Sequence, residues 1–137
     1  MATPFRYRRQ VQFAETDAAG LTHFSCYFKF MEEAEHALWR EAGMSIWAPA
    51  SGVGFPRVSA TCEFLAPLHF EDEFDVLVRI ETMARRSIRY ACEIVRGETR
   101  IATGSMTAVC VSKGADGMRA VEIPAEIVQR LSAMSDQ

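Results

Sequence analysis

No apolar run in this chain approaches the ~18–20 residues that a membrane-spanning helix needs. The stretch Met1 to Gln10 carries Arg6, Arg8 and Arg9 but no apolar core, so no secretory signal is expected there. Cysteine is sparse: Cys26, Cys62, Cys92 and Cys110 lie tens of residues apart, without the close pairs of a zinc site. All four sit in apolar patterns, where a free cysteine acts as a small hydrophobe, and nothing advertises the secreted context that disulfides need. The three histidines, His23, His36 and His69, are scattered with no H-x-x-x-H spacing, so no metal is expected. There is no Walker or dinucleotide glycine motif, no internal repeat and no low-complexity segment. Positive charge is also short. Fifteen Lys and Arg against 18 Asp and Glu give a net charge of −3, and the pI near 5.6 argues against a nucleic-acid partner.

What remains is 137 residues with 49% hydrophobic content, too apolar for disorder and the size of one domain, read as 1–137. A cytoplasmic location is expected. Phe5 to Phe13 alternates as a strand, with Phe5, Tyr7, Val11 and Phe13 on one face and Arg6, Arg8, Gln10 and Gln12 on the other. From about Phe24 to Ala42 the period becomes helical, with Tyr27, Phe30, Met31, Ala34, Ala37, Leu38 and Ala42 on one face. Thr22 or Ser25 suits its start, and Gly43 suits the left-handed position past its end. Ser45 to Pro56 reads as a loop. Four alternating runs follow: Arg57–Leu65 (Val58, Ala60, Cys62, Phe64), Glu73–Thr82 (Phe74, Val76, Val78, Ile80), Ser87–Arg96 (Ile88, Tyr90, Cys92, Ile94) and Arg100–Ser112. Pro124 to Met134 reads as a short closing helix.

A lone amphipathic helix among five strands belongs across the concave face of a curved antiparallel sheet, an α+β architecture. The first and last strands are expected to form its edges and to invite a second copy. The most unusual segment is Glu15–Thr16–Asp17–Ala18–Ala19–Gly20, between the first strand and the helix. The free amides and dipole of a helix start attract negative charge there. Aspartate is also a common turn residue, and position alone favours that role for Asp17.

The run VQFAETDAAG from Val11 to Gly20, then Tyr27 and FMEEA from Phe30, resembles the hotdog-fold acyl-CoA thioesterases. The similarity is to the 4-hydroxybenzoyl-CoA thioesterase family and the related 1,4-dihydroxy-2-naphthoyl-CoA hydrolases. FPRVS from Phe55, FEDEF from Phe70, Arg85–Arg86–Ser87 and MRAVEIPA from Met118 continue the match in order, over nearly the whole chain. The resemblance implies a five-stranded sheet wrapped around one long helix, and Asp17 as nucleophile or general base on a thioester. It also implies a backbone amide, that of Phe24, as oxyanion donor. Arg85, Arg86 and Ser87 would meet the phosphates of coenzyme A, which is part of the substrate, so no cofactor is implied. Many members carry an aromatic-histidine pair after the glycine, and here the order is His23 then Phe24. His23 therefore falls where an aromatic is usual, lining the acyl pocket with Tyr27 and Glu32. A homodimer, as a dimer of dimers, is expected to enclose an aromatic or medium-sized acyl group. An acyl-carrier-protein thioesterase and a non-catalytic acyl-CoA-binding module remain as alternatives.

Overall fold

The computed structural model describes residues 3–135, so residues 1, 2, 136 and 137 of the 1–137 domain reading lie outside it. In chain order the elements are β1 (Phe5–Gln10), α1 (Cys26–Glu41), β2 (Val53–Gly54), β3 (Arg57–Phe64) and β4 (Glu73–Met83). Next come β5 (Ser87–Arg96), β6 (Thr99–Val109), β7 (Val111–Gly114), β8 (Gly117–Ala120) and α2 (Ala125–Ser135). Five strands form an antiparallel sheet in the order β1-β4-β5-β6-β3. Register shifts leave an extra residue in β3 (Val58), β4 (Glu81) and β6 (Ile101), bulges that bend the strands that carry them. The chain leaves one sheet edge after β1, crosses as α1, and returns at the opposite edge as β3. The edges are thus the first and second long strands. The expectation that the last strand forms an edge fails, because β6 is paired on both sides by β5 and β3.

The helix lies where its apolar stripe requires. Phe30, Met31, Ala34, Leu38 and Trp39 are buried against Phe74, Val76 and Val78 of β4 and Ile88, Tyr90, Cys92 and Ile94 of β5. The Phe30 and Phe74 rings stand 4.8 Å apart, and Trp39 Nε1 donates to the Tyr90 hydroxyl at 2.9 Å. Gly104 of β6 permits this contact. A Cβ there would sit 2.5 Å from the Thr61 carbonyl oxygen and 2.8 Å from Met31 Sδ. One acid shares the buried stripe: Glu35 is fully enclosed and is gripped by both terminal nitrogens of Arg57, Nη1 at 2.9 Å from Oε2. Burial pushes the Glu35 carboxyl above the usual carboxylate range, although Arg57 pulls it down.

Four local readings change. The first strand stops at Gln10, because Gln12 and Glu15 form a capping box around a 3-10 turn at Phe13–Glu15. Phe13 is turned outward and is three-quarters exposed. The long final run breaks at Cys110. Its second half, β7, joins β2, which lies in the segment read as a loop, and β8, a stretch given no element in the sequence reading, in a small three-stranded sheet. In β3 Cys62 packs against the core, but Val58 and Phe64 are not covered within this chain, both at least half exposed. Neither Thr22 nor Ser25 caps α1 by its side chain. Ser25 occupies the cap position, but its hydroxyl bonds His23. Gly43 does take the left-handed conformation past the helix.

Candidate active site

Between β1 and α1 the chain ties itself into a short loop. The amide of Asp17 donates to the Leu21 carbonyl (2.7 Å), and that of Gly20 donates to the Asp17 carbonyl (3.0 Å). One carboxylate oxygen of Asp17, Oδ1, accepts the amides of Ala19 (2.8 Å) and Leu21 (3.1 Å). Gly20 takes a φ of +83°, which a residue with a Cβ rarely adopts. The turn-capping role of Asp17 is therefore real. It occupies Oδ1 alone, and among the described residues Oδ2 accepts no hydrogen bond.

The next residues lead into the helix, and almost every amide along them is occupied. Thr22 donates to Leu68 O, His23 to Glu15 O, Ser25 to His23 Nδ1, Cys26 to His23 O and Tyr27 to Phe24 O. The amide of Phe24 is the exception, with no acceptor among the described residues. Phe24 and Asp17 line the same open cavity of about 370 Å³, walled by Tyr27, Phe64, Leu65 and Pro67. The residue with the free donor and the residue with the free carboxylate oxygen thus line one largely apolar space. The donor stands just before the first turn of α1, where the helix dipole favours developing negative charge.

Tyr27 is buried in the wall, its ring edge-on to Phe64 at 5.0 Å, and burial raises its hydroxyl above the usual tyrosine range. Thr22 also borders the cavity, with its hydroxyl buried and without a partner among the described residues. The composition of this wall was not legible in the sequence beyond Tyr27. Its signal was the run Phe64–Leu65–Ala66–Pro67, where alternation gives way to consecutive apolar residues. Another cavity, of about 210 Å³, lies between the end of α1, the 44–55 segment and α2. Glu126 is its one acidic or basic lining residue, so it lacks the pairing found at Asp17.

The remaining sequence-predicted residues do not meet there within one chain. His23 stacks on Phe24 with centroids 4.5 Å apart but does not line the cavity. Its Nδ1 accepts the Ser25 amide and bonds the Ser25 hydroxyl (2.7 Å), which holds the ring over the helix start. Glu32 is half exposed, 3.8 Å from Arg57 Nη2, and also lies outside the cavity. Arg85 and Arg86 lie in the β4–β5 turn and Ser87 opens β5, with Arg85 exposed and 3.6 Å from Glu122. Ser87 pairs with Val109 and Phe64 with Ala102, so the turn and the cavity lie toward opposite ends of β6, about 23 Å apart along the strand at ~3.3 Å per residue. Among the described residues no three His, Cys, Asp or Glu side chains gather into a metal-holding group, and no helix is long and apolar enough to cross a membrane.

Residues 11–131 match the family model of the thioesterase-like superfamily. The crystal structure of a hypothetical protein from Aquifex aeolicus superposes with a TM-score of 0.87 at 32% identity, covering 93% of this chain and 99% of that one. The acyl-CoA thioester hydrolase YbgC of Escherichia coli is 30% identical, over 80% of this chain and 83% of its own length. A 1,4-dihydroxy-2-naphthoyl-CoA hydrolase of Nostoc punctiforme is 27% identical, over 93% and 86% respectively.

Proposed function

Since the chain belongs to the thioesterase-like superfamily, we propose that it hydrolyses an acyl-CoA thioester to the free acid and coenzyme A. The observation that carries this reading is the pairing of the Asp17 carboxylate with the unpartnered Phe24 amide on one cavity. The relatives named as acyl-CoA and naphthoyl-CoA hydrolases support the substrate class. The apolar, aromatic wall of Tyr27, Phe64 and Leu65 supports an aromatic or medium-sized acyl group.

The thioester carbonyl oxygen accepts from the Phe24 N–H, and Asp17 drives the attack. As general base, Asp17 takes a proton from water while the water oxygen bonds the carbonyl carbon. As nucleophile, its free oxygen forms a mixed anhydride that water then opens. In both routes the C–S bond breaks, coenzyme A leaves as a thiolate that gains a proton, and the acid remains. A preorganised donor of this kind is worth ~100–1,000-fold in turnover, or roughly 3 kcal/mol. A positioned base contributes ~100–10,000-fold. The reaction needs no cofactor.

His23, Tyr27 and Glu32 are assigned to the acyl side and Arg85, Arg86 and Ser87 to the phosphates, in a cytoplasmic homodimer that pairs into a dimer of dimers. The uncovered β3 edge supports the dimer. Pairing two β3 edges antiparallel about a two-fold axis brings the Arg57 end of one copy to the Phe64 end of the other. That is the end at which Arg85–Ser87 lie, so the second copy supplies what one chain does not bring together.

Thiol release from benzoyl-CoA tests the reading. Asp17→Asn keeps an Oδ1 carbonyl for the Ala19 and Leu21 amides, so the loop holds while turnover falls by at least ~100-fold. Wild-type turnover in that variant overturns the role of Asp17. Saturable binding by the wild-type chain without thiol release overturns the enzymatic reading.

A further inference from the structure

The inner face of β1 carries Phe5, Tyr7 and then a cation, Arg9, whose guanidinium is mostly buried and lies 4.6 Å above the Phe30 ring. All five of its N–H donors are matched. Nε meets Glu33 Oε1 (2.6 Å), and Nη2 meets Glu33 Oε2 (3.3 Å) and Glu15 Oε2 (2.6 Å). Nη1 meets Glu15 Oε1 (2.6 Å) and the Gln10 carbonyl (3.1 Å). A bidentate grip on one carboxylate is specific, and here one guanidinium holds two. Tyr7 also donates to Glu33 (3.3 Å), and Lys29 stands 4.0 Å from Glu15.

The two carboxylates belong to the two segments that carry the candidate chemistry. Glu15 lies two residues before Asp17, with its side chain also accepting the Gln12 amide at 2.8 Å. Its carbonyl accepts the His23 amide at 2.8 Å, one residue before the free Phe24 amide. Glu33 lies on α1, two turns along from its start. Arg9 therefore fastens sheet, carboxylate loop and helix at one point, and the loop's contact with the helix start runs through the residue it grips.

We infer that Arg9, acting through Glu15 and Glu33, is the positioning residue that sets the Asp17 carboxylate against the Phe24 amide, an inference that rests on the proposed thioester hydrolysis at that site. Arg9 touches no reacting atom. Its effect is geometric, and misplacement of reacting groups by about 1 Å costs up to ~100-fold.

The test uses the 137-residue chain with benzoyl-CoA, comparing Arg9→Lys, Glu33→Gln, Asp17→Asn and the double variant Asp17→Asn/Arg9→Lys. Arg9→Lys keeps the charge but cannot fill two carboxylates. Its kcat is expected to fall about 10- to 100-fold with KM within about twofold, because the coenzyme end is untouched. Glu33→Gln, which leaves the Arg9–Glu15 arm in place, gives a smaller drop in kcat. In the double variant the Arg9 substitution adds no further loss, since a residue acting through Asp17 has nothing left to position. Guanidinium at non-denaturing concentration restores kcat to an Arg9→Ala variant. Wild-type kcat in both Arg9→Lys and Glu33→Gln overturns the inference, as does an undiminished Arg9 effect on top of Asp17→Asn. Wild-type kcat in Asp17→Asn alone overturns the role of Asp17 instead, and saturable binding without thiol release by the wild-type chain overturns the hydrolysis reading, so the failures are distinguishable.

Discussion

Asp17 divides its carboxylate, with Oδ1 committed to two loop amides and Oδ2 unbonded among the described residues. An anchored acid of this kind keeps its orientation while leaving one oxygen for chemistry. Glu15 is held more tightly still. Burial would raise its carboxyl, but the Arg9 hydrogen bonds, the Gln12 amide and the charges of Arg9 and Lys29 hold it below the usual glutamate range. A carboxyl depressed on folding contributes stability above the unfolded pKa, about 4.3 for glutamate, and loses it as pH falls through the lower folded value. Glu15→Gln is therefore expected to be less stable than wild type in denaturant titrations at pH 7. The gap narrows as pH drops below about 4.3. A gap that stays constant into acid would show that the Glu15 charge contributes nothing.

Helix α1 places the site because its N-terminal end is where the free amide stands and its length spans the sheet. Its approach is set by Gly104, where a Cβ would sit 2.8 Å from Met31 Sδ of the helix and would also collide with the Thr61 carbonyl of β3. Gly104→Ala should cost about 1–3 kcal/mol in denaturant unfolding, as overpacking of a tight contact does. An unchanged midpoint would mean that helix and sheet shift apart freely. Much of this element scale was legible from periodicity. Val76 and Val78 of β4, like Ile88 and Tyr90 of β5, alternate because one face of each strand meets the helix. Two features were not legible. Arg9 and Glu35 sit on apolar faces, and their partners Glu33 and Arg57 are 24 and 22 residues away, beyond any local pattern. Phe13 satisfied the alternation yet points outward, because the Gln12–Glu15 capping box turns the chain after Gln10.

At the scale of the whole molecule, the strand pattern overstated what one copy can bury. Val58 and Phe64 alternate like core residues and are exposed because β3 is an edge. Exposed Phe24 and Leu65 border the cavity at the same end of the sheet as Phe64. A second copy paired on that edge would cover the strand and close the acyl side of the cavity. The carboxylate loop and D-x-x-G spacing were readable in sequence. The gap of about 23 Å between cavity and arginine turn was not, since it follows from sheet order rather than from any motif. The most direct measurement is a crystal structure of the Asp17→Asn variant holding intact benzoyl-CoA. The account predicts a thioester oxygen about 2.7–3.1 Å from the Phe24 nitrogen, with the residue 17 side chain beside the carbonyl carbon. A thioester bound elsewhere, with that amide still unoccupied, would contradict it.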